Sequence, residues 1–92
     1  MLAIVSIQAR VFDVAELGRV IRRVRRERRL TQIELAERAN VARGAVQKLE
    51  EGRGTVNLTT VLKILRMLSL DLTITTRESA NALLFDENRP RG

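Results

Sequence analysis

The chain has 92 residues, with 17 Lys plus Arg against 11 Asp plus Glu, for a formal charge of +6. That is room for one small domain, which buries roughly 60 to 65% of the surface its unfolded chain would expose, and the basic excess points to phosphate polyanions as partners. Aromatic residues make up 2% of the chain, which argues against aromatic base stacking, and Cys and His are absent, so disulfides, thiolate metal sites and imidazole catalysis are excluded.

Residues 1–12 read as an N-terminal arm or short strand, LAIVSIQARV mixing Ile and Val with small polar residues. No basic residue precedes a long apolar core there and no cleavage site follows, so a signal peptide is not expected. Nor does any run approach the roughly 18 to 20 apolar residues of a membrane span. The expectation is a soluble, cytoplasmic protein associated with the nucleoid.

At Asp13 the signals sharpen. Asp13 with Glu16 has the spacing of a capping box, and Phe12 precedes the cap as a staple for Leu17, so a first helix is expected from Val14. Leu17, Val20, Ile21 and Val24 form its apolar stripe, leaving Arg19, Arg22, Arg23, Arg25, Arg26, Arg28 and Arg29 to the remaining surface. Such a charge run is either a solvated face or a contact surface, with Arg22, Arg26 and Arg29 reaching phosphates or an acidic patch on a partner.

Thr31 and Glu34 repeat the capping-box spacing and open a second helix through about Arg38. Asn40, a residue that tolerates the left-handed conformation, turns the chain. A third helix follows from about Arg43 to Glu50 and stops at Gly52. Asn57 caps a fourth, from Leu58 to Leu68, whose inner face is read as Leu58, Val61, Leu62, Leu65 and Leu68. Leu70, Leu72 and Ile74 then alternate with Asp71, Thr73 and Thr75 as in a half-buried strand. This strand pairs either with the same strand of a second subunit or with residues 2–8 of its own chain. Residues 77–92 read as a flexible tail in which Leu83, Leu84 and Phe85 either cover core or hook into a partner protein.

A helix that reads DNA must be clamped against a positioning helix, with a small residue where the two approach. Ala36 is that small residue, and Leu35, Ala39, Val41, Val46 and Leu49 form the apolar wedge. With these inward, the third helix exposes Arg43, Gly44, Gln47 and Lys48. Arg bonds guanine bidentately, Gln does so with adenine, and Lys serves a guanine edge or a phosphate. Gln32 at the start of the second helix suits a phosphate contact, as do Thr31 beside it and Arg53 in the loop after the third helix. The rival reading is an ordinary pair of short helices whose polar side chains face water.

LTQIELAERANV followed by VQKLEEGRGTVNLTTVLKILRMLSL resembles the helix-turn-helix family of phage repressors and Xre-type regulators, from about Leu17 to Leu70. The leucine-rich fourth helix followed at once by LDLTIT resembles its HipB-like antitoxin branch. The resemblance implies a mainly α, lambda-repressor-like bundle over residues 13–76, with a short C-terminal β-strand paired across a homodimer. It also implies a pseudo-palindromic double-stranded DNA operator and a toxin partner of the HipA kinase type. Ala42 departs from the family pattern, standing where a Ser or Thr usually caps the recognition helix, at about 1 kcal/mol. Gly44 adds local looseness to that helix.

The function expected is therefore a sequence-specific repressor, the antitoxin of a toxin–antitoxin operon, with no cofactor, metal or catalytic residue. Two other readings stand beside it: a phage-type repressor without a toxin, and an interaction module that sequesters a partner.

Overall fold

The computed structural model describes residues 8–76, and among them are four helices: α1 (Val14–Glu27), α2 (Gln32–Ala39), α3 (Arg43–Glu51) and α4 (Leu58–Met67). No helix among the described residues is long and apolar enough to cross a membrane.

Three of the four starts are capped by the side chains that the sequence offers. Asp13 Oδ1 accepts from the Glu16 N–H at 2.8 Å, and Asn57 Oδ1 from the Thr59 N–H at 2.7 Å. At α2 the box is reciprocal: the Glu34 N–H donates to Thr31 Oγ1 at 3.0 Å and the Thr31 N–H to Glu34 Oε1 at 2.8 Å. The reciprocal bond at α1 falls one residue early, from the Phe12 N–H to Glu16 Oε1 at 3.1 Å. Phe12 itself is 69% exposed, so the staple expected against Leu17 buries little of the ring. Ala42 gives α3 no side-chain cap bond.

All four helices end in the same way. A left-handed residue follows the last turn, and the next N–H reaches back five residues: Leu30 to the Arg25 carbonyl, Val41 to Ala36, Arg53 to Lys48 and Leu70 to Leu65. The left-handed residues are Arg29, Asn40, Gly52 and Ser69. Gly52 and Asn40 suit that conformation, whereas Arg29 and Ser69 adopt it at a cost of roughly 1 kcal/mol or more each.

Helix α1 packs on α3, and α2 packs on both α3 and α4. The centre is aliphatic: Ile21, Leu35, Val46, Leu49, Ile64 and Leu68 are fully buried, each worth about 1.5 to 3 kcal/mol relative to exposure. Helix α4 is rotated from the expected face. Val61, Ile64, Leu65 and Leu68 are buried, while Leu58 is 64% and Leu62 41% exposed.

Among the described residues there is no strand. Residues 70–76 leave α4 without regular structure, Leu70 packing against the core and Leu72 and Ile74 standing 55% and 90% exposed. Most of the N-terminal arm, residues 1–7, and the tail with Leu83, Leu84 and Phe85 lie outside the described residues.

Candidate nucleic-acid interface

The wedge between α2 and α3 takes the expected side chains. Leu35, Ala36, Ala39, Val46 and Leu49 are buried and Val41 is half-buried. Asn40 makes the turn at φ 59, ψ 49. With Val46 and Leu49 held inward, helical periodicity sends Arg43, Gly44, Gln47 and Lys48 outward, and all four are exposed.

A close approach that the sequence reading did not single out lies at Gly18. A Cβ built on Gly18 would stand 1.9 Å from the Leu49 carbonyl oxygen, so α1 and α3 touch backbone to backbone there. One α1 turn earlier, Ala15 lies against Gly52, where a Cβ would come within 3.0 Å of its Cα. Ala15 and Gly18 thus seat the C-terminal end of α3 on α1.

Seven residues after Gly18, on the same side of α1, is Arg25, a correction to its expected place on the solvated arginine face. Arg25 is 8% and Glu50 6% exposed. The guanidinium is bidentate on the carboxylate, Nε to Oε2 at 2.6 Å and Nη2 to Oε1 at 2.9 Å, and its Nη1 donates to the Leu30 carbonyl at 2.7 Å. Gln32 Nε2 donates to Glu50 Oε1 at 3.0 Å. One carboxylate on α3 therefore ties α1 to the first residue of α2, while Arg25 also holds the α1–α2 turn, and every buried side-chain polar atom among the described residues is satisfied. The signal was present in the sequence: Arg25 lies four residues after Ile21 and Glu50 four after Val46, opposite charges at core registers of two helices.

The remaining residues fall around this frame. Gln32 is half-buried, its amide engaged by Glu50 but with a second N–H to offer. Thr31 is exposed, with its hydroxyl and N–H both in the capping box. The Thr31 N–H and hydroxyl, helped by the Arg38 charge, lower the Glu34 pKa below its ordinary value of 4.5. Arg53 reaches the Glu51 carboxylate at 2.7 Å and stays exposed. Arg22 and Arg26 are exposed and line a shallow open depression with Arg19, Arg23 and Glu27. Among the described residues, Arg23 pairs with Glu27 at 3.4 Å, whereas Arg22 and Arg26 make no ion pair. Arg29 is exposed at the C-terminal end of α1.

A rigid helix pair, with one member presenting donor-rich side chains outward, defines a helix-turn-helix protein. The profile of the helix-turn-helix family matches residues 21–74, and the chain belongs to that family, in its Xre-type form. Solved structures of HipB are among its structural relatives. A HipB–O4 20mer complex and a HipA–HipB–O2–O3 complex are each 25% identical, covering 77% of this chain and 100% of the HipB chain with a TM-score of 0.70. A variant HipB–O2 20mer complex is 27% identical over 79% of this chain and 100% of its own, also at 0.70. No curated protein matches the chain in sequence.

Proposed function

We propose that this protein is a sequence-specific transcriptional repressor and the antitoxin of a toxin–antitoxin pair, acting as a homodimer on a pseudo-palindromic operator. The observation that carries the reading is the exposed row Arg43, Gly44, Gln47 and Lys48 on a helix whose opposite side is locked into the core. Arg43, Gln47 and Lys48 are the base readers, and Gln32, Thr31, Arg22, Arg26, Arg29 and Arg53 are the phosphate contacts. Support for a toxin partner is the likeness to HipB, which has been solved with HipA as well as with DNA 20mers. The partner would then be a HipA-type kinase, and repression follows from occupying the promoter.

Dimer formation is assigned to Leu70, Leu72 and Ile74. An alternating apolar segment with Ile74 90% exposed is a hazard unless a second strand covers it. Two copies paired there would present two α3 helices to half-sites about 34 Å apart or a multiple of that distance.

The test is a competition titration with the DNA upstream of the protein's own gene against bulk DNA, alongside sedimentation of the Leu72→Lys, Ile74→Lys double variant. A specific reader prefers its operator by about a thousand-fold or more, and the double variant sediments as a monomer that binds the operator poorly. Equal affinity for bulk DNA leaves an interaction module as the better description. A double variant that remains dimeric moves the interface away from residues 70–76.

A further inference from the structure

The exposed arginines of α1 form a ridge that the operator contacts do not use up. At about 100° per residue, Arg19 and Arg23, each two residues from Ile21, stand roughly 160° round the helix from it, and Arg26 about 140°. Ile21 is fully buried, so these side chains leave α1 on the side turned away from the bundle. Helix α1 meets α3 along Leu49 and Glu50, on the side of α3 opposite its reading row, so the ridge and the row face away from each other. Arg22, about 100° from Ile21, stands between them. The ridge destabilises the helix that carries it. Arg19 with Arg23 and Arg22 with Arg26 are like charges one turn apart, as are Arg19 with Arg22 and Arg23 with Arg26, spacings at which such pairs repel. The carboxylate among them is Glu27, 3.4 Å from Arg23 in a solvent-exposed pair, and Arg19 makes no ion pair among the described residues.

We propose that this ridge is a second duplex-binding surface, which holds the phosphates of a DNA segment other than the one α3 reads, so that the operator-bound protein bridges two duplexes. The inference goes beyond the operator contacts and rests on them for the bound state. Arg19 and Arg23 define the surface, because Arg22 and Arg26 are also placed for operator phosphates. The chemistry of the ridge selects its partner. Leu17, Val20, Ile21 and Val24 are all packed into or against the core, which leaves the ridge no apolar side chain. A protein partner needs an apolar centre from which charge is depleted, whereas interfaces with DNA are more polar and far more positive. The surface between Arg19, Arg22, Arg23 and Arg26 is shallow and open, a shape on which a rounded duplex can lie. Arg19 to Arg26 spans about 10 Å of helix rise, which matches about three phosphates of one strand. Each guanidinium can donate to a phosphate bidentately, and such contacts carry no sequence preference.

In the experiment, the full chain is loaded onto a sparsely immobilised duplex of the sequence it selects from a random pool. Free protein is washed away and a labelled duplex lacking that sequence is added. At about 50 mM salt the complex retains the label, and at about 200 mM retention is more than ten-fold weaker. The Arg19→Gln, Arg23→Gln double variant keeps good helix formers at both positions and melts within a few degrees of wild type, which shows that it folds. It binds the selected duplex within about two-fold of wild type and with the same salt slope, since no operator contact has changed. The second duplex is held about ten-fold or more weakly, with a slope lowered by nearly 2 for the two phosphate contacts removed. Full retention by the double variant, no retention by wild type, or an operator affinity that falls in the variant as far as retention does overturns the inference and leaves the proposed function standing. An operator-bound wild type that prefers poly-glutamate to the second duplex at equal charge assigns the ridge to an acidic protein and overturns it as well. A wild type that selects no sequence at all overturns the proposed function and this inference with it.

Discussion

Replacing Gly18 by Ala is the sharpest test of how the recognition helix is held. In an isolated helix the change would be favourable by up to about 1 kcal/mol. Here the new Cβ would lie 1.9 Å from the Leu49 carbonyl oxygen and 2.9 Å from its carbon, both backbone atoms that no rotamer change can move. Restoring a separation of about 3.0 Å requires α3 to retreat by about 1.1 Å from α1. Glu50 moves with it, stretching Arg25 contacts that stand at 2.6 and 2.9 Å beyond hydrogen-bond range. Overpacking costs roughly 1 to 3 kcal/mol, and uncoupling a buried ion pair adds part of the roughly 3 to 5 kcal/mol that breaking one costs. After the helix-propensity gain, a net loss of about 2 to 4 kcal/mol remains, which for a domain of this size lowers the melting temperature by roughly 10 °C or more. Thermal unfolding followed by circular dichroism measures it, with Gly44→Ala as the matched control of opposite sign. A Gly18→Ala protein melting at or above wild type would refute the close α1–α3 contact.

Removing one partner of the buried pair, by Arg25→Met or Glu50→Leu, costs about 3 to 5 kcal/mol in urea unfolding, whereas the double substitution recovers most or all of it; additive losses would show that the pair is not coupled. Gln47→Ala lowers operator affinity by roughly 1 to 3 kcal/mol and relaxes preference at one position of each half-site, while Arg22→Ala weakens all sequences alike and flattens the salt slope. Unchanged affinity and preference in Gln47→Ala would remove it from the base readers. Glu34 gives a pH test. Its folded-state pKa is depressed, so its contribution is full above the ordinary carboxylate range and is lost as pH falls through the lowered value. The stability gap between wild type and Glu34→Ala is thus flat near neutral pH and narrows as pH falls below the ordinary carboxylate range and through the lowered value; a gap that does not narrow on acidification contradicts the ionised capping box.

Much of this architecture is legible in the sequence because helix ends are local. Asp13, Thr31 with Glu34, and Asn57 mark starts, and Asn40 and Gly52 mark stops, by chemistry within a few residues. The wedge is legible because apolar spacing across so short a turn has few solutions. What escaped depends on partners distant in sequence. Helix α4 offers two apolar stripes, and which is inward depends on what α2 presents to it; Ile64 won and Leu58 and Leu62 lost. Gly18 reads in isolation as a weak point in a helix, since nothing local announces the carbonyl of Leu49. Arg25 hides among six other arginines between residues 19 and 29, and only its register relative to Ile21 sets it apart. Residues 70–76 have strand alternation, but a strand exists only by pairing, and no second strand occurs among the described residues.

The supports of α3 are unevenly distributed along its length. Its C-terminal half is fixed three times over, by Gly18 against Leu49, by Arg25 and Gln32 on Glu50, and by Ala15 against Gly52. Its first turn has no side-chain cap, no acidic residue to complement the helix dipole, and a glycine open to solvent. Local stability is therefore graded along about 12 Å of helix, firm where α3 meets α1 and compliant where Arg43 and Gly44 face outward. A disturbance at the firm end displaces the whole reading row, so substitutions at Gly18, Arg25 or Glu50 lower stability and DNA affinity together. At the compliant end the two separate, because stiffening the first turn stabilises the fold whatever it does to the fit with a base edge. The bare backbone at Gly44 thus costs the protein stability but no structural contact.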